Sequence, residues 1–150
     1  MNGEPHNSPW GKVQTCETLS DGVFQVSTAS HGGIMVRENA AGFLSPAALL
    51  CGCRENRHFC FEEDCCAQVV IRDLLDKKMW KIPDRITDKA RFEESVNDSL
   101  KRWQPDYWAT RQKSLPLADR LREGAEKAAV YNGGLDKSAY KSTKTHDDVH

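Results

Sequence analysis

No segment of this 150-residue chain approaches the roughly 20 consecutive apolar residues that a membrane-spanning helix needs. The first stretch, Met1 to Pro9, is polar where a secretory leader would carry its apolar centre. The expectation is a protein without membrane contact that stays in the cytoplasm of the cell that makes it. Charge of one sign is missing too: 21 Lys and Arg stand against 22 Asp and Glu, a formal net charge of −1. No global field is therefore available to hold nucleic acid or an anionic surface. The glycines are scattered and form neither Gly-x-x-x-x-Gly-Lys nor Gly-x-Gly-x-x-Gly, which argues against nucleotide hydrolysis. A Gly-x-Ser-x-Gly elbow, an internal repeat and a heptad run are all lacking.

Cysteine is present, but not in a pattern that closes on chemistry. Cys16, Cys51, Cys53, Cys60, Cys65 and Cys66 sit in a chain without a secretory signal, so reduced thiols are expected rather than a disulfide framework. Cys51-x-Cys53, His58-x-Cys60 and Cys65-Cys66 put six potential zinc ligands into 16 positions. Structural zinc favours Cys-x-x-Cys knuckles, whereas an extended Cys-x-Cys points its side chains apart. Neither a metal nor another cofactor is expected on this reading, and the cysteines are expected to pack as small hydrophobes.

Alternation carries the first third of the chain. Val13, Thr15 and Glu17 alternate with Gln14, Cys16 and Thr18, Ser20-Asp21-Gly22 supplies a turn, and Val23 to Thr28 is β-branched and aromatic. Ser30-His31-Gly32-Gly33 reads as a second turn, with Ser30 or His31 bonding its backbone, ahead of a short strand at Ile34 to Val36. Ser45-Pro46 starts one helical turn that runs to Leu50, and Cys51 to Cys60 reads as loop with a strand at His58 to Phe61.

Helical spacing then takes over. Glu62-Glu63-Asp64 precedes an apolar stripe at Cys65, Cys66, Val69, Val70, Leu74 and Leu75, and is read as the acidic start of a buried helix that Pro83 ends. On such a helix start the three carboxylates diverge by about 100° per residue and cannot share one ion. Thr87-Asp88 caps a helix whose apolar face is Phe92, Val96, Leu100 and Trp103; Asp106 to Gln112 adds a further turn. Pro116 opens another helix, with Leu117, Leu121, Ala125 and Ala128 on one face. Strands first and helices after predict an α+β domain over residues 1–135, a meander of about three antiparallel strands against three or more helices, with a flexible polar tail over 136–150.

Two constellations are weighed as sites. His31 with Ser30 or a cysteine is the raw material of a small hydrolase, and turn chemistry is the competing account of the same residues. Arg72, Lys77, Lys78, Lys81, Arg85, Lys89 and Arg91 surround Trp80, a set that suits weak nucleic-acid contact, diluted by Asp73, Asp76, Asp84 and Asp88. An ordinary mixed-charge helix-loop-helix surface is the favoured account of the same residues.

The segments Ser8-Pro9-Trp10-Gly11, Gly22 to Ser27, Thr28-Ala29-Ser30-His31-Gly32-Gly33, Glu62-Glu63-Asp64-Cys65 and Leu100-x-x-Trp103-x-Pro105-Asp106-Tyr107 together resemble a domain family of unknown function found mainly on phages, plasmids and integrated elements. The resemblance covers about Ser8 to Trp108 and departs from the family in the Cys51 to Cys60 stretch and after Pro116. It transfers no catalytic residues. It implies an accessory product of a mobile element, such as an anti-CRISPR inhibitor that binds a host protein or ribonucleoprotein, a type I surveillance complex, and blocks helicase-nuclease recruitment or DNA access. On that reading the protein is not an enzyme, acts in the bacterial host cytoplasm, and contacts its partner through Glu62, Glu63 and Asp64, the basic set from Arg72 to Arg91, and Trp80. Homodimerisation through the apolar helices is compatible with it. The rival readings are the His31 hydrolase and a zinc-containing nucleic-acid binder.

Overall fold

The computed structural model describes residues 3–115. The helix expected from Pro116 and the tail expected over 136–150 lie outside the described residues. In chain order the elements are β1 (Asn7–Ser8), β2 (Gly11–Lys12), β3 (Thr15–Ser20), β4 (Val23–Ser27), β5 (Gly32–Arg37), a 3₁₀ turn (Glu38–Phe43), α1 (Pro46–Leu49), β6 (Cys53–Glu55), β7 (His58–Glu62), α2 (Ala67–Asp76), α3 (Lys89–Trp103) and α4 (Pro105–Ser114). The class is α+β, as the order of sequence patterns predicts. By compactness the chain divides into two units, Met1–Trp108 and Ala109–His150. The sheet and α1 to α3 belong to the first; of the second, residues 109–115 are described.

Five strands form an antiparallel sheet in the order β3-β4-β5-β7-β6, and β1 pairs with β2 in a separate small hairpin. Asp21-Gly22 closes the β3–β4 hairpin with Gly22 at φ +80°, a conformation that costs glycine little. The second turn lies two residues earlier than the sequence suggests. Thr28 to His31 make it, with the Thr28 N–H donating to the His31 carbonyl at 2.7 Å, while Gly32 and Gly33 already belong to β5. The strand expected at His58 to Phe61 is β7, and the part of the stretch read as loop holds β6, which pairs with it in a hairpin closed by Asn56 and Arg57 at φ 53° and 61°. Two successive positive φ values are the type I′ turn that matches strand twist.

Side chains alternate between two covered faces. Val23, Ile34, Val36 and Phe61 point to the helices and pack with Ala48, Val69, Val70, Leu74, Val96 and Leu100. Phe24, Val26, Met35 and Cys60 point the other way, beneath Trp10, Val13 and Cys16. β5, in the middle, is buried on both faces from Gly32 to Val36. Ser45 caps α1, its hydroxyl accepting from the Ala48 N–H at 3.2 Å, and Asp88 caps α3 by accepting from the Arg91 N–H at 3.0 Å.

The acidic triplet is not a helix start. Glu62 ends β7, residues 63–66 form a turn, and α2 begins at Ala67 with no acidic residue in its first turn. β-Pairing with β5 holds the segment extended as far as Glu62, and the Cys65 and Cys66 N–H groups then fold back onto the Glu62 carbonyl at 3.3 and 3.0 Å. The helix itself stops at Asp76, well before Pro83, at Lys78 with φ 58°.

Candidate functional site

The segments that carry the resemblance meet at one end of the sheet. Antiparallel pairing sets Gly33 opposite Glu62, and the Glu63 N–H donates to the Gly32 carbonyl at 3.0 Å, so His31 and Asp64 flank the same strand ends. The Gly33–Glu62 pairing sets those two residues side by side on one face of the sheet, and the turns that flank them bring His31 and Asp64 to the same place. The Nδ1 or Nε2 of His31 and a carboxylate oxygen from each of Glu62 and Asp64 lie within 4.8 Å of one another. Glu62 is half-buried; His31 and Asp64 are exposed. Trp10 walls the site, its ring so close over Gly33 that a Cβ there would meet the Trp10 Cη2 at 2.5 Å.

Both ligand-bearing turns are fastened by backbone bonds. Thr28 Oγ1 accepts from the Ser30 and His31 N–H groups at 3.4 and 3.1 Å and lies 2.8 Å from the His31 carbonyl and 3.2 Å from that of Trp10. The side chain that ties this turn is therefore Thr28, not Ser30 or His31. On the other side, Gln104 Nε2 donates to the Cys65 carbonyl at 2.8 Å, linking the start of α4 to the acidic turn. Among the described residues, His31, Glu62 and Asp64 form the one group of three side chains able to converge on a metal ion. Glu63 turns toward Gly32, where a Cβ would stand 3.1 Å from its Oε1, and lines a polar groove with Glu17 and Arg85.

The basic set does not form one surface. Arg72 is 3% exposed, too deep for surface contact, and ties α2 to α3 through Glu93 at 2.7 Å and Asn97 at 2.8 Å while pairing with Asp76 on its own helix at 3.0 Å. Lys77 donates to the Phe43 carbonyl at 2.9 Å, Lys89 pairs with Asp84 at 2.8 Å, and Arg85 pairs with Glu17 at 3.5 Å. Lys78, Lys81 and Arg91 are exposed. Trp80 is half-buried against the core, its ring 6.2 Å from that of Phe92.

The cysteines separate into different neighbourhoods. Cys53 and Cys60 oppose each other across β6 and β7, Cys65 and Cys66 bring their sulfurs to 3.4 Å, and the Cys51 thiol lies 3.3 Å from Gln104 Oε1. Burial pushes the Cys60 and Cys66 thiols up to about 12 and the Cys16 thiol to about 11, and raises Cys51 as well. Such groups stay protonated at neutral pH, which suits packing and not nucleophilic attack.

An exposed patch escaped the periodicity argument. Trp103 is 55% exposed and Leu50 88% exposed, against the expectation that Trp103 joins a buried helix face. α3 has 15 residues and α2 only 10, and Arg72 pairs α2 with the stretch Glu93 to Asn97. At about 1.5 Å per residue, Trp103 runs past the first residue of α2 and finds nothing of α2 to cover it. Leu50 and Trp103 precede Cys51 and Gln104, which touch, so the two apolar side chains emerge from adjacent segments. The Arg102 guanidinium lies 5.1 Å over the Trp103 ring and the Lys101 ammonium 5.4 Å over Trp108. The sequence signal for this is Pro105, which closes the helical run two residues after Trp103.

A family model described as a domain of unknown function (DUF7007) matches residues 3–130. No curated protein matches the chain. No solved structure matches it.

Proposed function

The chain belongs to the DUF7007 family, a domain of unknown function, and from the surface it presents we propose that it works by contact with another macromolecule rather than by bond-making chemistry. The observation that carries this is the exposure of Trp103 and Leu50, with the Arg102 guanidinium 5.1 Å over the indole. Exposed Trp and Arg side chains are the residue types in which interface energy concentrates. Arg102 next to the ring shields apolar surface while the protein is free and offers directed donors when a partner arrives.

The finer reading is an inhibitor of host defence carried by a mobile element, binding a type I CRISPR surveillance complex and blocking helicase-nuclease recruitment or DNA access. Its support is the likeness of the five motif segments to domains of phages and plasmids. In a bacterium whose type I system targets an infecting phage, expression of the chain should restore plaque formation. Trp103→Ala should abolish the restoration, and His31→Ala should retain it, both variants remaining folded by circular dichroism. Absence of any restoration by the unmodified chain would refute the finer reading. Loss in His31→Ala with retention in Trp103→Ala would refute action through the patch.

A further inference from the structure

The geometry points to a divalent-cation site at the end of the sheet, in which the His31 imidazole and the Glu62 and Asp64 carboxylates ligate a first-row transition ion and water fills the remaining positions. One nitrogen and two oxygens form a donor set suited to Mn²⁺, Fe²⁺ or Zn²⁺, while the imidazole is an unusual ligand for Mg²⁺ or Ca²⁺. Ligands about 2.1 Å from a shared ion lie at most about 4.2 Å apart. The donor atoms already fall within 4.8 Å of one another, so small side-chain rotations suffice.

Three features separate this site from an ordinary acidic surface. The ligands come from residues 31 and 62 to 64, which are brought together by the β5–β7 register and not by adjacency in the chain. Their turns are fixed beforehand by Thr28 on one side and by the Gly32 and Glu62 carbonyls on the other, which lowers the ordering cost of binding. The residue opposite Glu62 is Gly33, which carries no side chain, and among the described residues no cation pairs with the Glu62 carboxylate, whose Oε1 has the Cys65 thiol 3.9 Å away. With three protein ligands the coordination sphere remains open on its exposed side, the arrangement that lets an ion take a further oxygen ligand. Neither Leu50 nor Trp103 is among its ligands.

Manganese is the appropriate probe, because the exposed thiols of Cys53 and Cys65 attract zinc far more than they attract this harder ion. The full-length chain is titrated with Mn²⁺ at physiological ionic strength and free ion is read by electron paramagnetic resonance. Saturation at one ion per chain is expected, with a rise in melting temperature. His31→Ala and Asp64→Asn should each weaken binding about 10-fold or more, a loss at least as large as removing an outer-shell partner. Glu63→Gln, one residue away but outside the ligand set, should leave affinity within about 2-fold, since an exposed charge is screened at this salt. Non-saturating uptake, or an effect of Glu63→Gln equal to that of Asp64→Asn, would show diffuse attraction to acidic groups and overturn the assignment. So would unchanged binding in folded His31→Ala.

Discussion

Gly33 has no room for a side chain. A Cβ there would stand 2.3 Å from the Phe61 carbonyl oxygen, which is backbone in the paired strand, and 2.5 Å from the Trp10 ring. Gly33→Ala is therefore expected to cost about 1–3 kcal/mol, the range for overpacking a filled site. Urea denaturation checks this, with a lowered midpoint as the outcome. At the same scale, burial separates the thiols: Cys53 and Cys65 are exposed, Cys60 and Cys66 buried. A thiol reagent should label Cys53 and Cys65 in the native protein and reach Cys60 and Cys66 only on unfolding, as mass spectrometry of quenched samples would report. The pH dependence has a definite sign. Cys60 and Cys66 ionise near 12 when folded against 9.0 when exposed, so their contribution is complete below pH 9.0 and is lost as pH climbs from there toward 12. Under reducing conditions, the urea midpoint should fall between pH about 8 and about 10, and fall less in a variant lacking both thiols.

At the scale of elements, the two helices beneath the sheet are joined by a buried cation. Arg72 on α2 reaches Glu93 and Asn97 on α3 as well as Asp76 on its own helix. Arg72→Met keeps most of the packing volume and leaves Glu93, itself 44% exposed, able to turn to water. The expected loss is about 1–3 kcal/mol, below the 3–5 typical when a fully buried partner is stranded. A chemical melt of the variant reads this directly, and an unchanged midpoint would deny the clamp its role. Short-range patterns made much of the fold legible. Asp21-Gly22, the Ser45 and Asp88 caps and the alternation in β4 each act locally, and each element they specify is found. Elements set by distant partners were not legible. The β6–β7 hairpin turns on Asn56-Arg57 without a glycine to announce it, and Glu62 is extended because β5 pairs with it, although three carboxylates before an apolar run read naturally as a helix start.

For the whole molecule the same division applies to function. His31 and the acidic triplet were each visible in the sequence, but their convergence depends on sheet order, and a helical reading of residues 62–64 ruled it out. The exposure of Trp103 depends on the unequal lengths of two packed helices, which spacing within α3 cannot register. With near-balanced charge, no long-range field is available to select a partner, so the contact proposed above would rest on short-range fit at exposed side chains such as Trp103. The most direct measurement of that claim is calorimetric titration of the full-length chain, and of Trp103→Ala, into a purified type I surveillance complex. Saturable binding by the chain, with affinity reduced about 30-fold or more in Trp103→Ala as for an interface anchor worth about 2 kcal/mol, is the predicted result. No binding by the chain, or equal binding by a folded Trp103→Ala, would contradict it.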